Sequence, residues 1–467
     1  MKRNSLTTAI LAGLTGVAGM AGVANAVNVN PDGLGQVLLY PYYTAREGND
    51  TLISVVNTTD QVKAVKVRFL EALNSQEVLD FNLYLSPYDV WTTAVTDLGG
   101  DQPGMRTTDT SCTVPYFITR SGGEQPFLNY EYAGDGGPTG IERAASGYIE
   151  LIEMGNVENA TLAAAATHGS GAFNCLALEA AWTGAWKADS SAGISEPTGG
   201  LFGSGSILNV DDGTMISYNA DAIDGFWEEG VIDHTDPGSL FPNLADGNTE
   251  TFVFNNGVLH NDLWSSGLEA VDAVLMYDKL FNEYSVEPDL NAHSEWVVTF
   301  PTKRFHVDGT RDRSPFTSLW VDGACETIEY DFWDREENQV SEGVEVSPRP
   351  DKPGFNLCRE ANVIRFAAER GTPDHTEILK ESLRDGGDAH LSYVNFDLHN
   401  AGFKDGWVRF DFGDGGTHSI TSLDEVEYRG LPVIGFWANT VQNGALAGGV
   451  LSNYGAAYKH RGSRHIE

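Results

Sequence analysis

Apolar and polar positions alternate most regularly between Thr51 and Thr96. Val65, Val67 and Phe69 alternate with Lys66 and Arg68, and Leu79, Phe81, Leu83 and Leu85 alternate with Asp80, Asn82, Tyr84 and Ser86. A period of two sends one set to a core and the other to solvent, so Phe69 and Phe81 are expected inside, Arg68 and Asn82 outside. Thr51 to Val56 precedes these runs, closed by Asn57-Thr58-Thr59-Asp60, and Leu73-Asn74-Ser75 separates them as a short turn would. The pattern predicts a meander of strand, loop, strand, turn, strand. Ser86-Pro87-Tyr88-Asp89 breaks it, because proline cannot donate to a ladder, and Val90 to Val95 resumes it. One buried face requires a second sheet to cover it.

Around this stretch, Gly35 to Thr44 reads as a first strand that ends at Pro41, and Gly147 to Glu153 as one that closes a sandwich. Between them Asp97 to Gly140 is a long Gly/Asp/Thr/Pro-rich connection. Thr161 to Ala166 and Cys175 to Trp182 read as short helices, and Ile207 to Val210 and Met215 to Tyr218 as a hairpin turning at Asp211-Asp212-Gly213. Leu268, Val271, Leu275, Asp278 and Phe281 fall at helical spacing, opened by Ser266 with Glu269 three residues on, which predicts a helix over 266–281. Strand patterns return at Trp296 to Phe300, Ile328 to Phe332, Val363 to Phe366, Trp407 to Phe412 and Pro432 to Trp437. The expected fold is mainly β: a sandwich over 27–158 and a second β-rich domain over 159–467 with a helical, loop-rich insertion at about 159–290. Gly406-Trp407-Val408 repeats the layout of Gly147-Tyr148-Ile149, a glycine opening an alternating strand, which hints at two related sandwiches. No fixed period is visible, which disfavours a solenoid or propeller.

Composition adds a compartment. Lys2 and Arg3, an apolar stretch from Thr8 to Val23 and Ala24-Asn25-Ala26 have the layout of a secretory signal peptide cleaved after Ala26, leaving 467 − 26 = 441 residues. Its loss moves the formal charge from −37 to −39, since two cations and no acids leave with it. That charge argues against nucleic acid or an anionic membrane as partner. No later stretch reaches the roughly 20 apolar residues of a membrane span. Cys112, Cys175, Cys325 and Cys358 contain no C-x-x-C pair, and an even count in an exported chain favours disulfides. Three pairings are possible, and neighbour pairing, Cys112 with Cys175 and Cys325 with Cys358, is preferred. No cysteine follows the cleavage site, so a lipoprotein anchor is not expected.

Chemistry is sparse. The eleven histidines make no close zinc spacing, and no G-x-S-x-G elbow, Walker loop or G-x-G-x-x-G is present. Asp331, Asp334, Glu336 and Glu337 in DFWDREE could supply a pair of hydrolytic carboxylates, but so acidic a chain provides pairs by chance. Asp211, Asp212, Asp221 and Asp224 around the hairpin, and Asp411 and Asp414 in DFGDGG, are the candidates for a structural calcium; turn chemistry accounts for the same residues. Trp227, Trp264, Trp320 and Trp333 lie near turns or strand ends, where rings can stack on sugars, although large aromatics more often fill cores. The basic segment Lys459 to His465 reads as a solvated tail; docked on the acidic surface of a second molecule, it would instead make a head-to-tail contact.

The stretch from Thr51 to Thr96, with Val55-Val56-Asn57-Thr58-Thr59 leading into two alternating strands and a proline-marked turn, resembles the immunoglobulin-like modules of bacterial extracellular proteins. The blocks at 51–59, 65–92, 217–223 (SYNADAI), 296–305 (WVVTFPTKRF) and 406–410 (GWVRF) resemble a family of uncharacterised exported proteobacterial proteins. The resemblance implies export and a surface role and supplies no catalytic residues. The expectation is therefore a non-enzymatic secreted or cell-surface protein with a structural or interaction role, its partners being cell-surface components or copies of itself. A carbohydrate-binding module and a carboxylate-dependent extracellular hydrolase are the alternatives.

Overall fold

The computed structural model describes residues 26–321, 323–340, 343–349, 354–383, 392–413, 416–445 and 451–467. Residues 1–25 of the expected leader therefore lie outside the described residues. Ala26 and Val27 are buried, and the Val27 N–H donates to the Glu250 carbonyl (2.8 Å).

The first part of the chain forms β1 (Val37–Thr44), β2 (Asn49–Asn57), β3 (Lys63–Glu71), β4 (Glu77–Leu85), β5 (Val90–Asp97), β6 (Ser146–Val157), β7 (Leu201–Asn209), β8 (Thr214–Asn219) and β9 (Asp221–Asp224). One sheet has the order β9-β1-β6-β3-β4 and the facing sheet the order β8-β7-β2-β5. Val65, Val67, Phe69, Phe81 and Leu83 from the first meet Ile53, Val55, Trp91, Val95 and Ile207 from the second in one core. The expected meander is corrected here. β3 and β4 form the hairpin, but β2 leaves them for the other sheet, where it pairs with β7 and β5. The two sheets are also not complete at residue 158, because the hairpin β7–β8, turning as expected at Asp211-Asp212-Gly213, and β9 belong to them.

After α1 (Ala160–Ala166), α2 (Cys175–Ala181) and α3 (Gly267–Leu275), a second set follows: β10 (Lys279–Ser285), β11 (Ala292–Thr299), β12 (Glu326–Asp334), β13 (Gln339–Val340), β14 (Ala361–Ala367), β15 (Asp405–Asp411), β16 (Ile434–Ala445), β17 (Leu451–Lys459) and β18 (Arg461–Ser463). Their sheets include the paths β18-β10-β15-β12-β13 and β17-β16-β11-β14, which repeat the first set strand for strand; beyond β14 the second sandwich adds a parallel strand, Tyr393–Asp397, where the first adds an antiparallel one, Pro103–Arg106, beyond β5. The hint carried by the two glycines is thus upheld. Gly147 sits between Tyr43 and Glu71, and Gly406 between Tyr284 and Asp334. A Cβ at Gly147 would run into the Leu70 carbonyl and the Tyr43 hydroxyl, and one at Gly406 into the Trp333 carbonyl and the Tyr284 hydroxyl.

Disulfides join Cys112 to Cys175 and Cys325 to Cys358, the neighbour pairing. The Ser266 hydroxyl caps α3 by accepting from the Glu269 N–H (3.3 Å), as expected, but the helix stops at Leu275 and residues 279–285 are strand. The side chains of Asp278 and Phe281 continue the helical spacing by coincidence, because pairing with β15 and β18 claims that backbone.

Two further expectations are overturned. Arg68 and Asn82 do lie opposite Phe69 and Phe81, but that face is buried too. Residues 235–246 cross it: the Asn82 amide donates to the Thr235 carbonyl (2.8 Å), and Arg68 donates to the carbonyls of Ser239 and Pro242 while pairing with Glu77 and Glu150. The basic tail is not a free end either. Lys459 pairs with Asp221 of the first sandwich, and the Arg464 guanidinium donates to the carbonyls of Ala273, Val274 and Met276, so a cation closes the C-terminal end of α3. These groups are satisfied within their own chain and are not held ready for a neighbouring one.

The sandwiches are joined through the outer face of β1 and β6. Thr299 Oγ1 donates to the Pro41 carbonyl (2.7 Å), Tyr42 donates to Glu381 (2.8 Å), Tyr148 donates to the Pro301 carbonyl (3.3 Å), and Arg304 pairs with Glu150. Val297, Val363, Phe436 and Ala438 of the second sandwich pack into the first core. The edge strands β8 and β17 lie against each other, with Gly455 close under the Met215 carbonyl; each edge is thereby covered.

Candidate binding face on the second sandwich

The alternation in β12, β15 and β10 sends Phe332, Val408, Phe410 and Leu280 into the second core, which leaves Asp331, Trp333, Trp407, Arg409, Phe281 and Glu283 on the opposite face. Trp333 and Trp407 are direct cross-strand partners, and their rings stack with centroids 4.0 Å apart and planes 7° from parallel. Arg409 pairs with Asp331 and places its guanidinium 5.4 Å from the Trp333 ring. Trp333 covers one face of the Trp407 indole, and Trp407 also borders a groove of about 650 Å³. Phe281, Glu283, Trp407, Trp437, Tyr458 and Arg461 line that groove.

Its far wall is held from behind. Trp437 donates to Ser294 Oγ (2.6 Å) and carries the Tyr458 ring at 5.2 Å. The Asn282 amide donates to the Tyr458 carbonyl (3.0 Å) and to Nδ1 of His460, whose Nε2 donates to the Val297 carbonyl (2.9 Å). Burial pushes the His460 imidazole down to about 3, which keeps it neutral in this role. Trp407 is 38% exposed and Tyr458 53% exposed. Glu283 and Arg461 are also exposed, and among the described residues neither side chain has an ion-pair partner.

The tryptophans named from sequence divide. Trp227 is buried and donates to the Glu153 carbonyl (2.7 Å), Trp264 is buried and donates to Thr251 Oγ1 (2.9 Å), and Trp320 is half-buried and donates to the Asp135 carbonyl. Only Trp333 reaches an open face, and its partner Trp407 was missed as a platform. The signal for it was present: in Trp407-Val408-Arg409-Phe410 the alternation that buries Val408 and Phe410 turns Trp407 outward, where a large ring is unusual.

The acidic clusters disperse. Asp211 and Asp212 occupy the tip of the β7–β8 hairpin, with Asp212 paired to Lys380, while Asp221 and Asp224 lie on β9 in the other sheet. Asp411 pairs with Lys279, and Asp414 lies outside the described residues. Among the described residues no group of three or more His, Cys, Asp or Glu side chains could hold a metal ion. In DFWDREE, Asp331 is tied to Arg409, and Asp334 accepts from Asn338 and from the N–H groups of Glu336 and Asn338, which hold its carboxyl below the usual range. Glu336 and Glu337 are exposed on the turn. Burial raises Glu295 and Glu360 to about 7, but both serve the joint: Glu295 accepts from the N–H groups of Ile378 and Leu379, and Glu360 accepts from the Arg304 N–H. No protein-family model, curated protein sequence or solved structure matches the chain.

Proposed function

We propose that this chain is an exported scaffold that works at or beyond the cell surface by holding a ligand or partner, without chemistry of its own. The observation that carries the reading is the pair of disulfides, one stapling each half of the molecule, which suggests an oxidising compartment. Among the described residues no helix is long and apolar enough to cross a membrane. The leader pattern, the net charge of −37 and the resemblance to extracellular immunoglobulin-like modules point the same way. Of the carboxylates that a hydrolase reading would use, Asp331 is held in an ion pair and Asp334 in a turn, while the buried Glu295 and Glu360 accept backbone N–H groups at the joint.

Fractionation of cells into culture fluid, outer surface and periplasm, with intact-mass measurement before and after reduction, tests the proposal. The expected result is an exported protein that begins at Val27 and shows no alkylatable thiol until it is reduced. Cytoplasmic protein with an intact leader and four free thiols would overturn it.

A further inference from the structure

We propose that the groove between Trp407 and Tyr458 is a binding site for a neutral oligosaccharide, an assignment that rests on the reading of the chain as a binding protein and names its ligand class. A sugar ring has an apolar face of C–H groups and a rim of hydroxyls. The groove offers the complement: exposed ring faces at Trp407 and Tyr458, one on each wall, with Phe281 and Trp437 beside them. Glu283 and Arg461, both exposed and without an ion-pair partner among the described residues, supply an acceptor and a fork of donors suited to paired hydroxyls. The aromatic walls are fixed in advance by the Trp333–Trp407 stack and by the Trp437, Asn282 and His460 hydrogen bonds, so little order has to be created on binding.

Other occupants fit less well. A second copy would bury two uncommitted charges at the centre of its interface, where charge is normally depleted, and would bring together chains of net charge −37. An extended peptide adds to a sheet edge through backbone hydrogen bonds, and the stretch of β10 beyond its pairing with β18 offers few: the Glu283 N–H donates to Asn282 Oδ1 and the Glu283 carbonyl accepts from Trp296. A polyanion meets the field of the whole acidic molecule before it meets Arg461.

The test uses the whole mature chain in calorimetric titration with hexasaccharide probes: β-1,4-linked glucose, N-acetylglucosamine, xylose and mannose, α-1,4-linked glucose and, as the anionic probe, galacturonic acid. At least one neutral hexasaccharide should bind and shift the tryptophan fluorescence. Trp407→Ala and Tyr458→Ala should each weaken it by about tenfold or more, which is about 1.4 kcal/mol. Trp407→Phe should retain most of the affinity, Glu283→Gln should weaken it, and Phe202→Ala, an exposed ring on the first sandwich, should leave it unchanged. Near-ultraviolet circular dichroism verifies that each variant is folded. Failure of every neutral probe, preference for the galacturonic acid probe, or affinity indifferent to both Trp407→Ala and Tyr458→Ala would each overturn the assignment. A dimer that Trp407→Ala dissolves would give the face to a second copy, removing the sugar but leaving the broader binding reading in place.

Discussion

Tyr43, Gly147 and Glu71 in the first sandwich occupy the places of Tyr284, Gly406 and Asp334 in the second, and this register fixes the equivalences along β3 and β6 and, on β1, those up to the bulge between Gly147 and Ile149, which the second sandwich lacks. One step along each strand, on the outer face, Tyr42, Tyr148 and Leu70 correspond to Glu283, Trp407 and Trp333. The first three are buried, under residues 299–306 and 376–381 of the second sandwich; the second three are open or half-open. Further along, the pair Arg68–Glu150 corresponds to Asp331–Arg409 with the charges exchanged between strands. The same strand order has thus been used once as an internal joint and once as a free surface. The inner faces carry the fold, and the outer faces carry whatever has been grafted on them.

If the inner faces are equivalent, Phe69→Ala and Phe332→Ala should cost similar amounts, about 3–5 kcal/mol each. Both rings are buried in their cores, and each meets its register tyrosine edge-on, Tyr43 at 5.9 Å and Tyr284 at 5.6 Å. Urea denaturation of the two variants measures this. A difference of more than about 2 kcal/mol would break the equivalence of the cores.

The outer faces should diverge at the exchanged ion pair. Arg68→Met leaves Glu150 buried with Arg304 alone and strips the donors from the Ser239 and Pro242 carbonyls, which should cost about 3–5 kcal/mol. Arg409→Met removes a pair whose side chains are about one-third exposed and should cost less than about 1 kcal/mol. Equal losses in denaturation would mean that the open face is covered in solution.

Sequence reading reached the inner faces and stopped at the outer ones. Alternation assigned Phe69 and Phe81 inward because period two is a property of the strand itself. It assigned Arg68 and Asn82 correctly to the opposite side but wrongly to solvent, because what lies on that side is residues 235–246, far away along the chain. β2 looked like the first strand of a meander because nothing local records which strand it pairs with. The capping signal at Ser266 and Glu269 located the start of α3, while its end is set by the pairing of Lys279–Ser285 with β15. Among the candidate site residues, Trp333 was visible as an aromatic at a strand end. Trp407 was legible only as an outward ring in an alternating strand, and Glu283, Tyr458 and Arg461 were not marked at all, because the groove exists only once β10, β15, β17 and β18 are assembled.

Two buried groups should titrate in opposite senses on the two sides of the comparison. His234, enclosed edge-on by Tyr84 and Trp186 and at a tilt by Trp182 behind the first sandwich, is pushed down to about 4 by burial. Its folded value lies below its unfolded one, so its contribution is present above about pH 6.5 and is lost as pH falls through about 4. Glu295 is raised to about 7, so its contribution is complete below about pH 4.5 and is lost as pH rises through 7. Relative to the parent, Glu295→Gln should gain between about pH 5 and 8, and His234→Asn should gain between about pH 6.5 and 4, each by an amount on the order of 3 kcal/mol. Denaturation across pH measures both, and a pH-independent offset for either variant would remove that group from the account.

The smallest expected effect bears most on the open face. Tyr148 and Trp407 are register equivalents, but Tyr148 is wholly buried and hydrogen-bonded to Ser75 at 2.8 Å, whereas Trp407 rests on Trp333 with 38% of its surface exposed. Tyr148→Ala should therefore cost about 3–5 kcal/mol, as large buried aromatics do. Trp407→Ala gives up only the stacking term and a part of its burial, and should cost no more than about 1–1.5 kcal/mol. A ring that contributes so little to folding, held upright by a second ring that contributes little more, is available to a ligand without any loss of the sandwich beneath it. If thermal and urea denaturation instead show Trp407→Ala to be as damaging as Tyr148→Ala, the Trp333–Trp407 stack is part of the core of the second sandwich, and the face it marks is structural.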